Sequence, residues 1–299
     1  MNISWARWLR AWVVALVAAL AGASVASAAP SVAEERVERA VAFLSSNQNA
    51  DGGFGEAGAS SDATLSAWVA LALESAGVEA APLRRGSTTL GAYLERQSPE
   101  LTTDIELHLL ARARLGLNTG PLAAALKAEI RPSGRIGPRL NSTIWGVLAL
   151  RAAGERVPKS VTRYLRRSQD RSGGFSFAVN GPPDTNDTAA AIQALRAAGL
   201  GARARPIKRA FRYLAAARKT SGGYPLVPGK SADAQSTGWV LQAYAAAERR
   251  GSARSRRFLV RLQQTNGSLH YRRKQLLTPV WVTAQALPGL LGVPFGARD

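Results

Sequence analysis

The sequence predicts an all-α fold, an (α/α)6 toroid of six outer–inner helix pairs, and three observations carry that prediction. Ala- and Leu-rich segments recur six times, about 40 to 50 residues apart, a period typical of helical repeats. Each apolar segment follows one with an apolar stripe and a charged face, the pattern of an inner helix covered by an outer one. Glycine pairs stand between the two at constant offsets, where they end a helix and turn the chain at low steric cost. Pairs that bury one helix completely close best into a ring, so one toroid domain is expected over residues 29–299, with the helical repeats over about 33–292.

The chain begins with a segment outside that pattern. "MNISWARWLRAW" carries Arg7 and Arg10 and no acid, "VVALVAALAG" is a short apolar run, and Ala26-Ser27-Ala28 is a small-x-small cleavage pattern. Residues 1–28 read as a secretory signal peptide, because the apolar run falls short of the ~20 residues of a spanning helix. The mature chain is expected to start near Ala29, to be secreted or associated with the cell envelope, and to carry no transmembrane segment.

Composition narrows the chemistry. There is no cysteine, which excludes disulfides, thiolate metal sites, thioesters and cysteine nucleophiles and leaves packing to hold the fold. The formal charge of +19 is concentrated in arginine clusters such as "RYLRRSQDR", "RARPIKRAFRYLAAARK" and "ERRGSARSRRF". These read as a solvated basic exterior, which also suits anionic cell-surface polymers. Nothing resembles a nucleic-acid module, and nucleic acid is not expected as a partner.

The outer helices share a register. Leu44, Gln48, Gly52-Gly53 and Phe54 in one copy match Leu165, Gln169, Gly173-Gly174 and Phe175 in another, and Leu214, Arg218, Gly222-Gly223 and Tyr224 in a third. The last copy offers Leu259, Gln263 and Gly267. Phe54, Phe175 and Tyr224 are expected to pack at the turns between helices.

The inner helices share another. Counting back from Leu73, Leu150, Leu195 and Tyr244, the residues seven positions earlier are Ser66, Thr143, Thr188 and Thr237. Five positions earlier stand Trp68, Trp145 and Trp239, with Ala190 breaking the series. Eleven positions before three of the anchors stand Asp62, Asp184 and Asp233. "TTDIELHLLARARLG" and "TPVWVTAQALPGLLG", the second carrying Trp281, are weaker copies.

The pattern L-x-x-x-Q-x-x-x-G-G-[FY] resembles the QW motif of the squalene cyclase and prenyltransferase repeat superfamily, with Phe or Tyr where Trp is usual. The resemblance covers nearly all of the mature chain and implies the toroid. It does not fix the activity, because the same toroid serves triterpene cyclases, protein prenyltransferase β subunits, cobalamin-binding proteins and thioester domains. The prenyltransferase branch holds zinc with Asp, Cys and His. Here Cys is absent and only His108 and His270 are present, so no metal site is expected, and His108 reads as a core residue.

The cyclase branch protonates an alkene with the middle acid of D-x-D-D. The stretch "PPDTNDTA" resembles that motif, with Asp184 and Asp187 matching the flanking acids as catalytic candidates. The middle position is Asn186, whose amide cannot donate such a proton. Asp184 also recurs as Asp62 and Asp233 and begins a helix, so an N-cap is the simpler role for it and the stretch reads as repeat four.

Trp68, Trp145, Trp239 and Trp281 lie near the starts of inner helices, which line the central cavity of a toroid. There they serve either helix packing or the holding of an apolar chain, with cation–π contact to steady a cation. Ala190 is expected to leave a gap beside Asn186 and Asp187. The candidate ligand-binding set is Trp68, Trp145, Trp239, Trp281 and Asn186.

The sequence alone favours an exported toroid without chemistry of its own, which binds an apolar or amphipathic small molecule such as an isoprenoid in its cavity or presents a binding surface. The alternatives are a terpene cyclase/mutase-type or prenyl-chain enzyme, and a cell-wall-associated scaffold. No cofactor motif is present.

Overall fold

The computed structural model describes residues 32–296, and the expected signal peptide lies outside them. Within the described residues the chain is all helical, as the periodicity predicts. The helices are α1 (Val32–Ser46), α2 (Ala63–Ser75), α3 (Leu90–Glu95), α4 (Thr102–Arg114), α5 (Gly120–Ala128), α6 (Leu140–Ala152), α7 (Lys159–Arg167), α8 (Thr185–Ala197), α9 (Arg205–Ala217), α10 (Ala234–Ala246), α11 (Ala253–Leu262) and α12 (Pro279–Leu291).

The even-numbered helices form a closed inner ring, each packed on the next, and α12 closes the ring on α2. The odd-numbered helices lie outside, each against an inner helix. Burial follows the sequence pattern. In α2 every residue from Leu65 to Leu73 is buried, whereas α7 buries only Val161 and Leu165.

The glycine pairs have a second use besides turning the chain. Gly52, Gly173, Gly222 and Gly267 take φ near +90°, and a Cβ at each would strike the backbone of the next outer segment, at Thr89, Arg209, Arg254 and Arg39 respectively. The motif glutamine ties the same junction. Gln48 Nε2 donates to Gly52 O and to Leu83 O, Gln169 Nε2 to Gly173 O and Pro206 O, and Gln263 Nε2 to Gly267 O and Arg36 O. The last pair of bonds joins the final outer turn to α1, so the ring is sealed outside as well as inside.

The Ser/Thr series is a hook. Ser66, Thr143, Thr188, Thr237 and Thr283 each accept, through the hydroxyl, the backbone N–H of the residue at the preceding turn: Phe54, Ile136, Phe175, Tyr224 and Leu269. These N–H groups are buried and have no helical partner, so the hydroxyl supplies the bond that burial requires. Phe54, Phe175 and Tyr224 are fully buried at those turns.

Candidate functional site: an acid-lined axial cavity

Three of the inner helices begin with the aspartates of the repeat. Asp62, Asp184 and Asp233 each accept the backbone N–H three residues on, at 2.7, 2.8 and 2.7 Å. The helix starts are further tied by the loops that follow the outer helices. The N–H of Asn141 donates to Phe177 O, that of Thr185 to Leu226 O, and that of Ala234 to Tyr271 O, each loop reaching back to the inner helix before it. For α12 the partner is a side chain: Glu56 accepts the N–H groups of Val280 and Trp281, both at 2.9 Å. All six inner helices thus start at one end of the ring.

At that end lies a cavity of about 590 Å3, within the range of small-ligand sites. Two layers of side chains, one helical turn apart, line it. The layer nearer the helix starts holds Thr64, Thr103, Asn141, Asn186, Gln235 and Trp281. The deeper layer holds Trp68, Leu107, Trp145, Ala190, Trp239 and Gln285. The hook hydroxyls show the equivalence, each lying two residues after the first layer and two before the second. Trp281 therefore stands one turn nearer the mouth than the other three tryptophans, and Gln285 takes the tryptophan position in α12.

The deep tryptophans meet on the axis. Trp68 lies edge to face with Trp145 and Trp239 at centroid distances of 5.4 and 5.7 Å, and Trp145 with Trp239 at 5.0 Å. Trp281 joins through Trp68 at 6.3 Å. Below them the chain after α12 crosses the ring. Phe295 is fully buried against Trp68, Trp145 and Trp239, and its N–H donates to Gln193 Oε1 at 2.9 Å. Gln242 Nε2 holds the same segment at Val293 O. The indoles, backed by Phe295, form the cavity floor, and α8, where Ala190 replaces the indole, leaves the open side.

Asp187 stands on that open side. It is 5% exposed, and its Oδ1 accepts from Asn141 Nδ2 at 2.6 Å. Burial pushes its carboxyl up to about 8, helped by a hydrogen bond to the Asp184 carboxyl and by the charge of Asp184, against the Asn141 bond, which lowers it. Two carboxyls in contact share a proton, so burial and Asp184 both favour the protonated form of Asp187. Asp184 both caps α8 and faces Asp187 in the cavity, so the stretch is more than a copy of the repeat. Asn186 also lines the cavity, and its Oδ1 is buried without a protein partner.

Register comparison alone would have exposed one residue that the sequence reading passed over. Glu106 occupies the place of Ala67, Ile144, Ala189 and Gly238 in the other copies. It lines the cavity from α4 at 1% exposure, with Oε1 buried and unpartnered. Burial, then the nearby Asp104, raises its carboxyl well above the usual range. His108, two residues on, is buried, and burial followed by the Arg112 charge lowers it to about 4, so it is neutral. Among the described residues the cavity wall thus carries Asp104, Glu106, Asp184 and Asp187, and no Lys, Arg or His.

The family model for the prenyltransferase alpha-alpha toroid domain matches residues 9–99 and 131–276. Among curated proteins none matches the sequence. A variant of the type II terpene cyclase MstE from Scytonema, solved with geranylgeranyl dihydroxybenzoate, is similar in structure with a TM-score of 0.64 at 15% identity, covering 87% of this chain and 97% of that one. The ent-copalyl diphosphate synthase of Streptomyces platensis has a TM-score of 0.56 at 18% identity, over 77% of this chain and 50% of that one. A glycosidase variant with glucose bound has a TM-score of 0.60 at 12% identity, over 88% and 98% of the two chains. At these identities the likeness is one of fold, and the neighbours differ in chemistry.

Proposed function

The chain belongs to the prenyltransferase alpha-alpha toroid domain family, and from that premise we propose that its cavity takes an uncharged isoprenoid-type chain, with Asp187 as the acid of a terpene cyclase/mutase-type reaction. The observation that carries this reading is the Asp187 carboxyl, buried beside Asp184 on the open side of a tryptophan-walled cavity, an environment that favours its protonated form. The likeness to type II terpene cyclases supports it, as one of them holds a geranylgeranyl-bearing substrate on the same fold. Asn186 rules out the acid position that the motif implies, and the role passes to the next residue. The preference for a toroid without chemistry gives way because a sequence cannot show that Asp187 is buried and paired with Asp184.

In this reading Asp187 gives its proton to one carbon of an alkene, and the π electrons form the new C–H bond. The positive charge left on the other carbon faces indole rings, whose quadrupoles stabilise cations. The carboxylate left behind keeps the Asn141 amide as a donor already in place before the reaction, while the neighbouring Asp184 favours its return to the acid form. Ring closure and loss of a proton complete an isomerisation without change of mass. A diphosphate head finds no cation among the lining residues and four carboxyls instead, so the chain is an uncharged one. Export through residues 1–28 is part of the same proposal and would give the protein access to lipids of the cell envelope.

Incubation with squalene and geranylgeraniol in D2O tests the reading. The expected product has the substrate's skeleton mass plus the label of one C–D bond, and Asp187→Asn abolishes it while apolar-ligand quenching of tryptophan fluorescence persists. Quenching without any product would return the cavity to a carrier role, and absence of both would leave the ring a scaffold.

A further inference from the structure

We propose that the mouth of the cavity docks on an anionic lipid bilayer through an exposed apolar arc built from the loops before α8, α10 and α12. The large exposed hydrophobic side chains among the described residues are concentrated there: Phe177 and Val179, Leu226 and Val227, Leu276 and Leu277. The remaining one, Leu101, stands at the head of α4, at the same end of the ring. Scattered exposed apolar residues are ordinary, but six in three successive loops around one opening are a patch.

The loops do not present these residues by accident of looseness. Each is anchored to the preceding inner helix by the backbone bond that ends on Phe177, Leu226 or Tyr271. Phe177 and Leu226 also line the cavity, so the apolar arc reaches its mouth, where it meets the polar layer of Thr103, Asn141, Asn186 and Gln235 above the tryptophans.

Charge selects the partner. The segments 175–183, 224–232 and 270–279 contain no acidic residue, and they carry exposed Lys230, Arg273 and Lys274 beside the apolar tips. Arg139 lies over the Phe177 ring at 4.5 Å. Apolar tips flanked by cations suit the boundary between acyl chains and anionic headgroups. A second copy of the chain fits poorly, because a face-to-face pair would oppose these cations to themselves. The inference concerns where the protein sits and stands whether or not a reaction follows; it needs the arc, not Asp187.

The absence of cysteine makes the test direct. Val227→Cys and, on the far outer face, Arg166→Cys are each labelled in the full chain with an environment-sensitive fluorophore and mixed with vesicles of phosphatidylglycerol and phosphatidylcholine. The Val227 label is expected to brighten and shift to the blue, and the Arg166 label to stay unchanged. Co-sedimentation should fall at least ten-fold in a triple variant, Val179→Asp, Val227→Asp and Leu277→Asp, and also fall in the serine version of the same triple. Neither set touches the cavity wall, and helical circular dichroism checks the fold. The amino-terminal segment is the same in all and cancels. Equal responses of the two labels, unchanged sedimentation of both folded triples, or a Val227 shift that depends on protein concentration without vesicles would each overturn the proposal. Ligand quenching measured without vesicles reports on the cavity reading separately.

Discussion

Trp145 and Trp239 meet edge to face at 5.0 Å although α8 stands between their helices in the ring. They approach because α8 presents Ala190 at that level, which leaves the third indole out. The cavity opens beside Ala190, next to Asp184 and Asp187 at the start of the same helix.

Ala190→Trp should fill that space. The expected result is loss of apolar-ligand quenching with the helical fold retained, and a melting temperature within a few degrees of the parent. Circular dichroism melting and ligand titration check the two halves. A variant that still binds would place the ligand elsewhere.

Asp187 should make stability fall with rising pH. Its folded-state carboxyl titrates near 8 and an unfolded one near 3.8, so between those values the folded state holds a proton that the unfolded state has lost. The penalty grows from the lower value to the upper and is then constant. Asp187→Asn keeps the shape without the acid and should stabilise the protein at pH 8 by on the order of 1–3 kcal/mol, or several degrees in melting temperature, and far less at pH 4. Denaturant unfolding at the two pH values measures it. An equal effect at both would mean that Asp187 is ionised in the fold.

The three caps should differ in worth although their backbone bonds are alike. Asp62 is exposed, and Asp62→Ala should cost about 1 kcal/mol. Asp233 is fully buried, and its Oδ2 also accepts from Leu226 N–H and Ser236 Oγ, so Asp233→Ala should cost about 2–3 kcal/mol. Asp184→Ala loses a cap but frees Asp187 of a like-charged neighbour, and should cost less than either. Chemical denaturation of the three variants ranks them.

The hook at Thr188 offers a fourth check. It is fully buried, its hydroxyl accepts the Phe175 N–H at 2.8 Å and donates to Asp184 O at 2.5 Å. Thr188→Val keeps the volume and orphans a buried N–H, which should cost about 1–3 kcal/mol, while Thr188→Ser should recover most of it. Thr143→Val and Thr237→Val should behave alike, because their bonds are the same. Loss of stability in the serine variant equal to that in valine would trace the effect to packing instead.

How much of this was legible depends on whether a residue's role repeats. Ser66, Thr143, Thr188 and Thr237 do one job in one register, so the pattern and the ring could be read together. The caps at Asp62, Asp184 and Asp233 were legible for the same reason. Trp281 was harder to align, because α12 ends at Gly292, two residues sooner after its hook than the helices closed by Gly77, Gly154 and Gly199. Glu106 is a single event and Asp187 recurs only as Asp104 of a weak copy, and the burial of Glu106 and Asp187 comes from the neighbours that crowd them, which no local pattern states. The apolar loop tips were illegible for a related cause: Val227 and Leu277 are read as buried in any hydrophobic count, and only the turn that carries them shows which way they face.

The seal between α12 and α2, and between Gln263 and Arg36, also sets a clock. The first pair of helices cannot complete its contacts until the last pair exists, and the chain from Ser75 to Pro279 takes on the order of tens of seconds to synthesise at about 5–20 residues per second. During that time α2 keeps one apolar flank open that no earlier neighbour covers. Such a protein reaches its native state late and all at once, and its nascent form is the species that a chaperone would meet.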